Sequence, residues 1–245
     1  MEKIRYSFMR TEEKYLLTRA QYEFLLPRIS GLFTPDDYGR TTICNIYYDT
    51  DDWGLIRASL QKPVYKEKLR LRSYGVPAEG DAVFAELKKK YKGVVYKRRM
   101  RLAAGQAGAF LEGSVPPAAD GQIAREILWF QHFYHTTPKV FIGYDRTAYF
   151  GRENAELRVT FDEDLRYRQS DLDLRAGGGG TPLLHDDPVL MELKLPGTFP
   201  LPLCRLLGEA GAYPVSFSKY GRFYTDVILK GKPRIAAQKE VVCNV

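Results

Sequence analysis

In the stretch "VYKEKLRLRSY" four cations, Lys66, Lys68, Arg70 and Arg72, occupy every second position, with Leu69 and Leu71 among the residues between them. A period of two places all four on one face of a β-strand. The design recurs elsewhere. "FAELKKK" puts Glu86, Lys88 and Lys90 opposite Ala85 and Leu87; "LRVTFDED" puts Arg158, Thr160 and Asp162 opposite Val159 and Phe161. "MELKL" puts Glu192 and Lys194 opposite Met191, Leu193 and Leu195, and "EEKY" puts Glu12 and Lys14 together. Adjacent cations repel unless an anion sits among them. Arginine offers a planar fork to non-bridging oxygens and lysine a compact point charge, so the chemistry these residues suit is the holding of phosphate. A carboxylate among the cations could hold a divalent metal against phosphate oxygens.

The simplest reading of any one such strand is an antiparallel strand with one face in water. Five strands with the same cationic face favour a second reading, in which the sheet curls into a barrel with helices outside. The apolar faces then pack under the helices and the charged faces line a lumen. A lumen about one side chain wide would select a thin, flexible, highly charged anion such as a linear phosphate chain over duplex DNA.

The elements that must position these faces are mostly strands: "TTICNIYYDT", "YKEKLRLRSY", "AVFAELKKKY", "KVFIGYDRTAYF", "AELRVTFDEDL" and "VLMELKLP". A first helix is expected at "TRAQYEFLL", where Thr18 and Gln21 have capping-box spacing and Pro27 should kink or end it. A second is expected from Ile123 to His135, with Ile127, Phe130 and Tyr134 at helical spacing. A third fits "PLCRLLGEAG", with Pro202 in its first turn and Gly211 near its end. The expected fold class is α+β, an antiparallel β-barrel with helices packed outside, in a single domain over 1–245. "AGGGGTP", Ala176 to Pro182, reads as a flexible strand connection and lacks the Lys-Ser/Thr of a phosphate-binding loop. "GSVPPAADG", Gly113 to Gly121, is turn-rich.

Composition narrows the partners. The 245 residues are 44% hydrophobic, enough for a real core, and carry a net charge of +7, which points to an anionic partner. No run approaches the roughly 18 apolar residues of a membrane span, and no apolar segment follows the charged start to make a signal peptide, so a cytoplasmic location is expected. Cys44, Cys204 and Cys243 are far apart and read as reduced thiols. His132, His135 and His185 have no ligand or triad spacing, and Trp53 and Trp129 read as packing residues. No aromatic platform alternates with bases in an RNA-binding motif, so a nucleic-acid partner is not expected.

"RTEEKYLLT", "YYDT", "KLRLRSYG", "ELKKK" followed by "YKRRM", "YDRTAY", "LRVTFD", "MELKLP" and "FSKYGRF" follow one another in an order that resembles the vacuolar transporter chaperone (VTC) domain of the triphosphate tunnel metalloenzyme, or CYTH-like, superfamily. The resemblance runs from about Arg10 to Arg222. It implies a tunnel-fold barrel and polyphosphate polymerase-like activity: transfer of the ATP γ-phosphate to a polyphosphate chain, with a divalent metal, Mn²⁺ or Mg²⁺, as cofactor. By the same resemblance Lys14, Arg70, Arg72, Lys88, Lys97, Arg146, Arg158 and Lys219 are the catalytic bases on phosphate. The resemblance also implies that Tyr144 and Ser218 bind substrate beside them and that Glu192 binds the metal; from the charged faces themselves, Lys194 is a further candidate for substrate binding, and Glu86 or Glu12 for helping Glu192 with the metal.

The wider superfamily's E-x-E-x-K begins here with Arg10, giving R-x-E-x-K, which resembles the VTC branch more than the thiamine-triphosphatase or adenylyl-cyclase branches. Two alternatives stay open: a triphosphate or polyphosphate hydrolase, and a non-catalytic polyphosphate-binding module. If the product is exported, a membrane-embedded partner protein must do it. Arg98 and Arg99 fit a plain basic patch as well as a lumen, and Lys66 and Lys68 are expected at the mouth, attracting substrate.

Overall fold

A computed structural model describes residues 10–114 and 121–231; most of the turn-rich "GSVPPAADG", the side chain of Arg10 and Cys243 lie outside the described set. In chain order the strands are β1 (Arg10–Leu17), β2 (Phe33–Pro35), β3 (Thr41–Asp49), β4 (Tyr65–Tyr74), β5 (Ala82–Tyr91), β6 (Val94–Ala103), β7 (Thr137–Gly151), β8 (Arg158–Arg168), β9 (Thr181–Pro182) and β10 (Val189–Pro196). The helices are α1 (Arg19–Arg28), α2 (Gly54–Leu60), α3 (Ala104–Leu111), α4 (Gln122–Tyr134), α5 (Leu201–Glu209) and α6 (Lys219–Phe223), the last continuing into a π-turn at Tyr224–Ile228.

The strands form one antiparallel sheet in the order β1-β10-β8-β7-β3-β4-β5-β6, with β2 added to β7 and β9 to β8. The ends of this path, β1 and β6, are not paired to each other among the described residues, so the expected barrel curls without a closed ring of hydrogen bonds. The curl still brings the two ends into electrostatic reach: Lys88 on β5 feels Glu12 and Lys14 on β1 and Lys194 on β10.

Three apolar clusters explain the wrap. Outward faces of β3, β4 and β5 (Cys44, Ile46, Leu69, Leu71, Ala85, Leu87) pack under α3 and α4 through Phe110, Ile127 and Phe130. Outward faces of β1, β8 and β10 (Tyr15, Leu17, Val159, Phe161, Met191, Leu193) pack under α1 and α5 through Leu25 and Leu203. The third cluster lies on the opposite, inner side. There Ile43, Tyr47, Val140, Ile142 and Tyr144 meet Tyr220, Phe223 and Tyr224, so α6 enters the curl of the sheet instead of covering it from outside.

The expected capping box at α1 forms, with Gln21 N donating to Thr18 Oγ1 at 3.2 Å and Thr18 N to Gln21 Oε1 at 2.9 Å, and the helix ends one residue after Pro27. The glycine connection is held rather than loose. Arg166 Nε donates to Gly178 O at 2.5 Å, and Arg168 Nη1 donates to Gly177 O and Gly179 O at 2.8 and 3.0 Å. A Cβ at Gly180 would stand 2.5 Å from Tyr167 O, so only glycine permits the approach. Trp53 packs against Tyr220, Phe223 and Tyr224, whereas Trp129 is exposed and stacks on Phe133, a correction to its expected packing role. No described helix is long and apolar enough to cross a membrane.

Candidate phosphate-binding lumen

The period-two faces converge on the inside of the curl because register keeps them level across strands. Arg70 pairs with Tyr47 on one side and Glu86 on the other, Glu86 with Arg99, and Lys88 with Lys97. Across the sheet, Lys14 pairs with Glu192 and Glu192 with Thr160, while Arg146 pairs with Asp162. On β8 the inward parity flips after a bulge at Asp164, whose φ is +48°: Asp162 faces in before it, and Leu165 and Tyr167 face in after it.

Two carboxylate-centred knots organise the cations. On one wall Glu86, 2% exposed, takes Arg70 Nη2 at 2.7 Å, Lys97 Nζ at 2.7 Å and Arg99 Nε at 3.2 Å. Burial would raise its pKa, but Arg70, Arg72 and Lys97 overcome that and hold it at about 2. On the other wall Asp162, fully buried, receives both nitrogens of the Arg146 fork at 2.6 and 2.7 Å and Lys219 Nζ at 2.6 Å. Glu192 stands beside this knot with looser contacts: Lys219 at 3.2 Å, Arg146 at 3.4 Å, Lys194 at 3.5 Å and Lys14 at 3.6 Å. Although Glu192 is buried, which opposes ionisation, Lys219, Lys14 and Arg146 hold its carboxyl well below the usual carboxylate range.

Arg72 differs from Arg70, Arg146 and Lys219. It donates to Asn45 Oδ1 at 2.9 Å and Tyr144 OH at 3.0 Å, both neutral, and no carboxylate reaches ion-pair distance among the described residues. The Tyr144 ring also carries Lys219 Nζ at 4.4 Å and the Arg146 guanidinium at 5.2 Å from its centroid. Ser218 caps α6, its Oγ accepting from Gly221 N at 3.2 Å and from Lys68 Nζ at 3.4 Å. Lys14 Nζ donates to Phe217 O at 3.0 Å, tying β1 to the segment before α6.

The sequence-selected residues therefore gather as follows. Lys14, Arg70, Arg72, Lys97, Tyr144, Arg146, Glu192, Lys194, Ser218 and Lys219 join the two walls through the contacts above. Lys88 lies on the same face but open to solvent, and Arg158 is exposed at the rim, its guanidinium 4.7 Å from the Phe150 ring. Of the ambiguous pair, Arg99 faces inward to Glu86 and Arg98 faces outward to Glu126 on α4. Lys68 lies inside against α6, not at the mouth. Asp162, which the sequence reading placed on the charged face without a role, is the most enclosed carboxylate of the site.

The expected metal set of Glu192, Glu86 and Glu12 does not come together: no three acidic, histidine or cysteine side chains among the described residues are grouped to hold an ion. Glu86 is unsuited, because both its oxygens are tightly engaged by cations. Glu192 fits better. Its four contacts are loose, Glu12 shares Lys14 with it at 3.5 Å, and one or two carboxylates suffice for an ion that completes its shell with phosphate and water oxygens.

The VTC domain family matches residues 9–227, nearly all of the lumen-forming chain. The chain belongs to the VTC domain family. A curated relative of this VTC domain is the vacuolar transporter chaperone complex subunit 4 of Trypanosoma brucei brucei, 27% identical over 186 residues. That match takes in 62% of this chain, and the chain spans only 24% of the relative's length. Among solved structures, a putative adenylate cyclase from Bacillus halodurans superposes with a TM-score of 0.55 at 15% identity, covering 87% of this chain and 96% of that one. A putative adenylyl cyclase from Hippeastrum, described as having a dominant triphosphatase activity, superposes with a TM-score of 0.51 at 19% identity, covering 91% and 97%. At these identities the two structures establish the tunnel fold of the VTC domain and nothing of its chemistry.

Proposed function

We propose that this VTC domain is a polyphosphate polymerase-like enzyme that transfers the γ-phosphate of ATP to a polyphosphate chain held in the lumen. The observation that carries the reading is the excess of inward cations over anions. Lys14, Lys68, Arg70, Arg72, Lys88, Lys97, Arg99, Arg146, Lys194 and Lys219 face Glu12, Glu86, Asp162 and Glu192, and the buried Arg72 has Asn45 and Tyr144 as its hydrogen-bond partners, with no carboxylate at ion-pair distance among the described residues. Such an arrangement is complete only with a polyanion inside.

Phosphoryl transfer through a loose transition state needs in-line positioning and neutralisation of the equatorial oxygens more than covalent help. Glu86 and Asp162 serve by aiming cations: Glu86 fixes the Arg70 fork, and Asp162 fixes Arg146 and Lys219. Arg72, with its planar fork fixed by Asn45 and Tyr144, contacts a non-bridging oxygen. A divalent cation, Mn²⁺ or Mg²⁺, would be held by Glu192 with Glu12 and would draw charge from the phosphate oxygens. The acceptor, a terminal phosphate, is already anionic and needs no base.

That last point favours transfer over the hydrolase alternative. Water attack gains from a group that orients or deprotonates it, and the lumen carboxylates Glu86 and Glu192 are held ionised as poor bases by cations. ATP and Mn²⁺ incubated with the protein should yield long chains on a gel, and Glu192→Ala should abolish turnover. Phosphate release alone would make it a hydrolase, neither product would leave a binding module, and full activity of Glu192→Ala would remove Glu192 from the metal.

A further inference from the structure

Lys68 stands on the inner face of β4 and reaches α6. Its Nζ is 3.4 Å from Ser218 Oγ, 5.4 Å from the Tyr220 ring centroid and 5.7 Å from that of Tyr47, and these two rings stack on each other at 4.7 Å. Three other lumen cations have carboxylates: Arg70 has Glu86, Lys14 has Glu12 and Glu192, and Lys219 has Asp162 and Glu192. Lys68 has none within ion-pair distance among the described residues.

We propose that Lys68 is a further phosphate-contacting residue, holding one phosphoryl group of the bound chain together with the hydroxyl of Ser218 where α6 meets the barrel wall. The inference rests on reading the lumen as a phosphate-chain site, and adds to it a residue outside the set that the family resemblance supplies.

Three observations converge on it. Aromatic faces stabilise a cation without neutralising it, and no carboxylate among the described residues stands at ion-pair distance to match the charge of Lys68. Ser218 Oγ accepts from both Gly221 N and Lys68 Nζ, and its own proton has no acceptor among the described residues, which leaves an O–H donor beside the ammonium. The groups facing Lys68 from every side are Tyr47 on β3, Arg70 on its own strand, Lys88 on β5, Lys14 on β1 and Tyr220 on α6. Burial first, then Arg70, Lys88 and Lys14, lower its pKa to about 8 against the opposing pull of Tyr47. A bound phosphate would reverse that balance.

The test is titration calorimetry of the full chain with tripolyphosphate, on wild type, Lys68→Met and Lys68→Arg, with melting temperatures of each protein alone. Lys68→Met should bind on the order of 10- to 100-fold more weakly, the loss of one charged hydrogen-bond donor. It should melt no lower than wild type, because an unpaired cation has been removed. Lys68→Arg should keep the affinity near neutral pH and lose less of it than wild type by about pH 9, because Lys68 deprotonates over that range and arginine does not, while ionisation of Tyr47 acts on both proteins. Equal affinity of Lys68→Met and wild type overturns this inference alone. A lower melting temperature in Lys68→Met with no rescue by Lys68→Arg makes the lysine structural and also overturns it. Failure of wild type to bind tripolyphosphate overturns the phosphate-lumen reading and this inference with it.

Discussion

Asp162→Asn is the change that best isolates how the lumen is held. The carboxylate is completely buried and receives three short contacts, 2.6 and 2.7 Å from Arg146 and 2.6 Å from Lys219. Asparagine keeps the shape but removes the charge, and its amide hydrogens would face cations. Arg146 and Lys219 then share only Glu192, at 3.4 and 3.2 Å. Breaking a buried pair by removing one partner costs about 3–5 kcal/mol, because the partner's charge is left uncompensated. For a domain of this size each kcal/mol shifts the midpoint by about 2–4 °C, so thermal unfolding followed by circular dichroism should drop by about 6–20 °C. A drop under about 2 °C would mean that Asp162 contributes less than about 1 kcal/mol and that the knot does not organise the wall.

Acid should find the other knot. Because Glu86 in the fold titrates at about 2 rather than 4.5, the unfolded chain takes up the proton first as pH falls. Its contribution is fully present above about pH 4.5 and is lost on the way down to about pH 2, so urea midpoints of Glu86→Gln should fall less steeply than wild type across that window; parallel profiles would contradict this. Arg72→Lys loses the fork set by Asn45 and Tyr144, and tripolyphosphate should bind on the order of 10-fold or more weakly by calorimetry, with unchanged affinity counting against direct contact. Gly180→Ala forces a Cβ against Tyr167 O and should cost about 1–3 kcal/mol in urea unfolding, whereas a neutral result would mean that the loop shifts freely.

Much of this was legible in the sequence, because a strand's period of two requires no knowledge of its partners. The inward placement of Arg70, Arg72, Glu86, Lys88 and Glu192 follows from alternation alone, and so does the packing of Leu69, Leu87 and Met191 under helices. What was not legible depends on contacts far apart in the chain. Asp162 lies on the correct face by alternation, but its partners Arg146 and Lys219 come from β7 and from α6. The five-residue α6 is too short to show helical periodicity, and its entry into the curl rests on Tyr220 stacking on Tyr47 and donating to Asp49 Oδ2 at 2.8 Å. Lys68 could be placed only once α6 was. The inward turn of Leu165 and Tyr167 depends on the bulge at Asp164, which reverses the alternation that "LRVTFDED" otherwise obeys. Gly105 and Gly108 disguised α3, whose helix is held by burial of Ala107, Phe110 and Leu111.

A crystal structure of the protein with tripolyphosphate tests the central claim most directly. The account predicts a phosphate chain inside the curl of the sheet, with oxygens in hydrogen-bond reach of Arg70, Arg72, Arg146 and Lys219. A chain bound only on the outer surface, with those four side chains still engaged solely by protein, would contradict it.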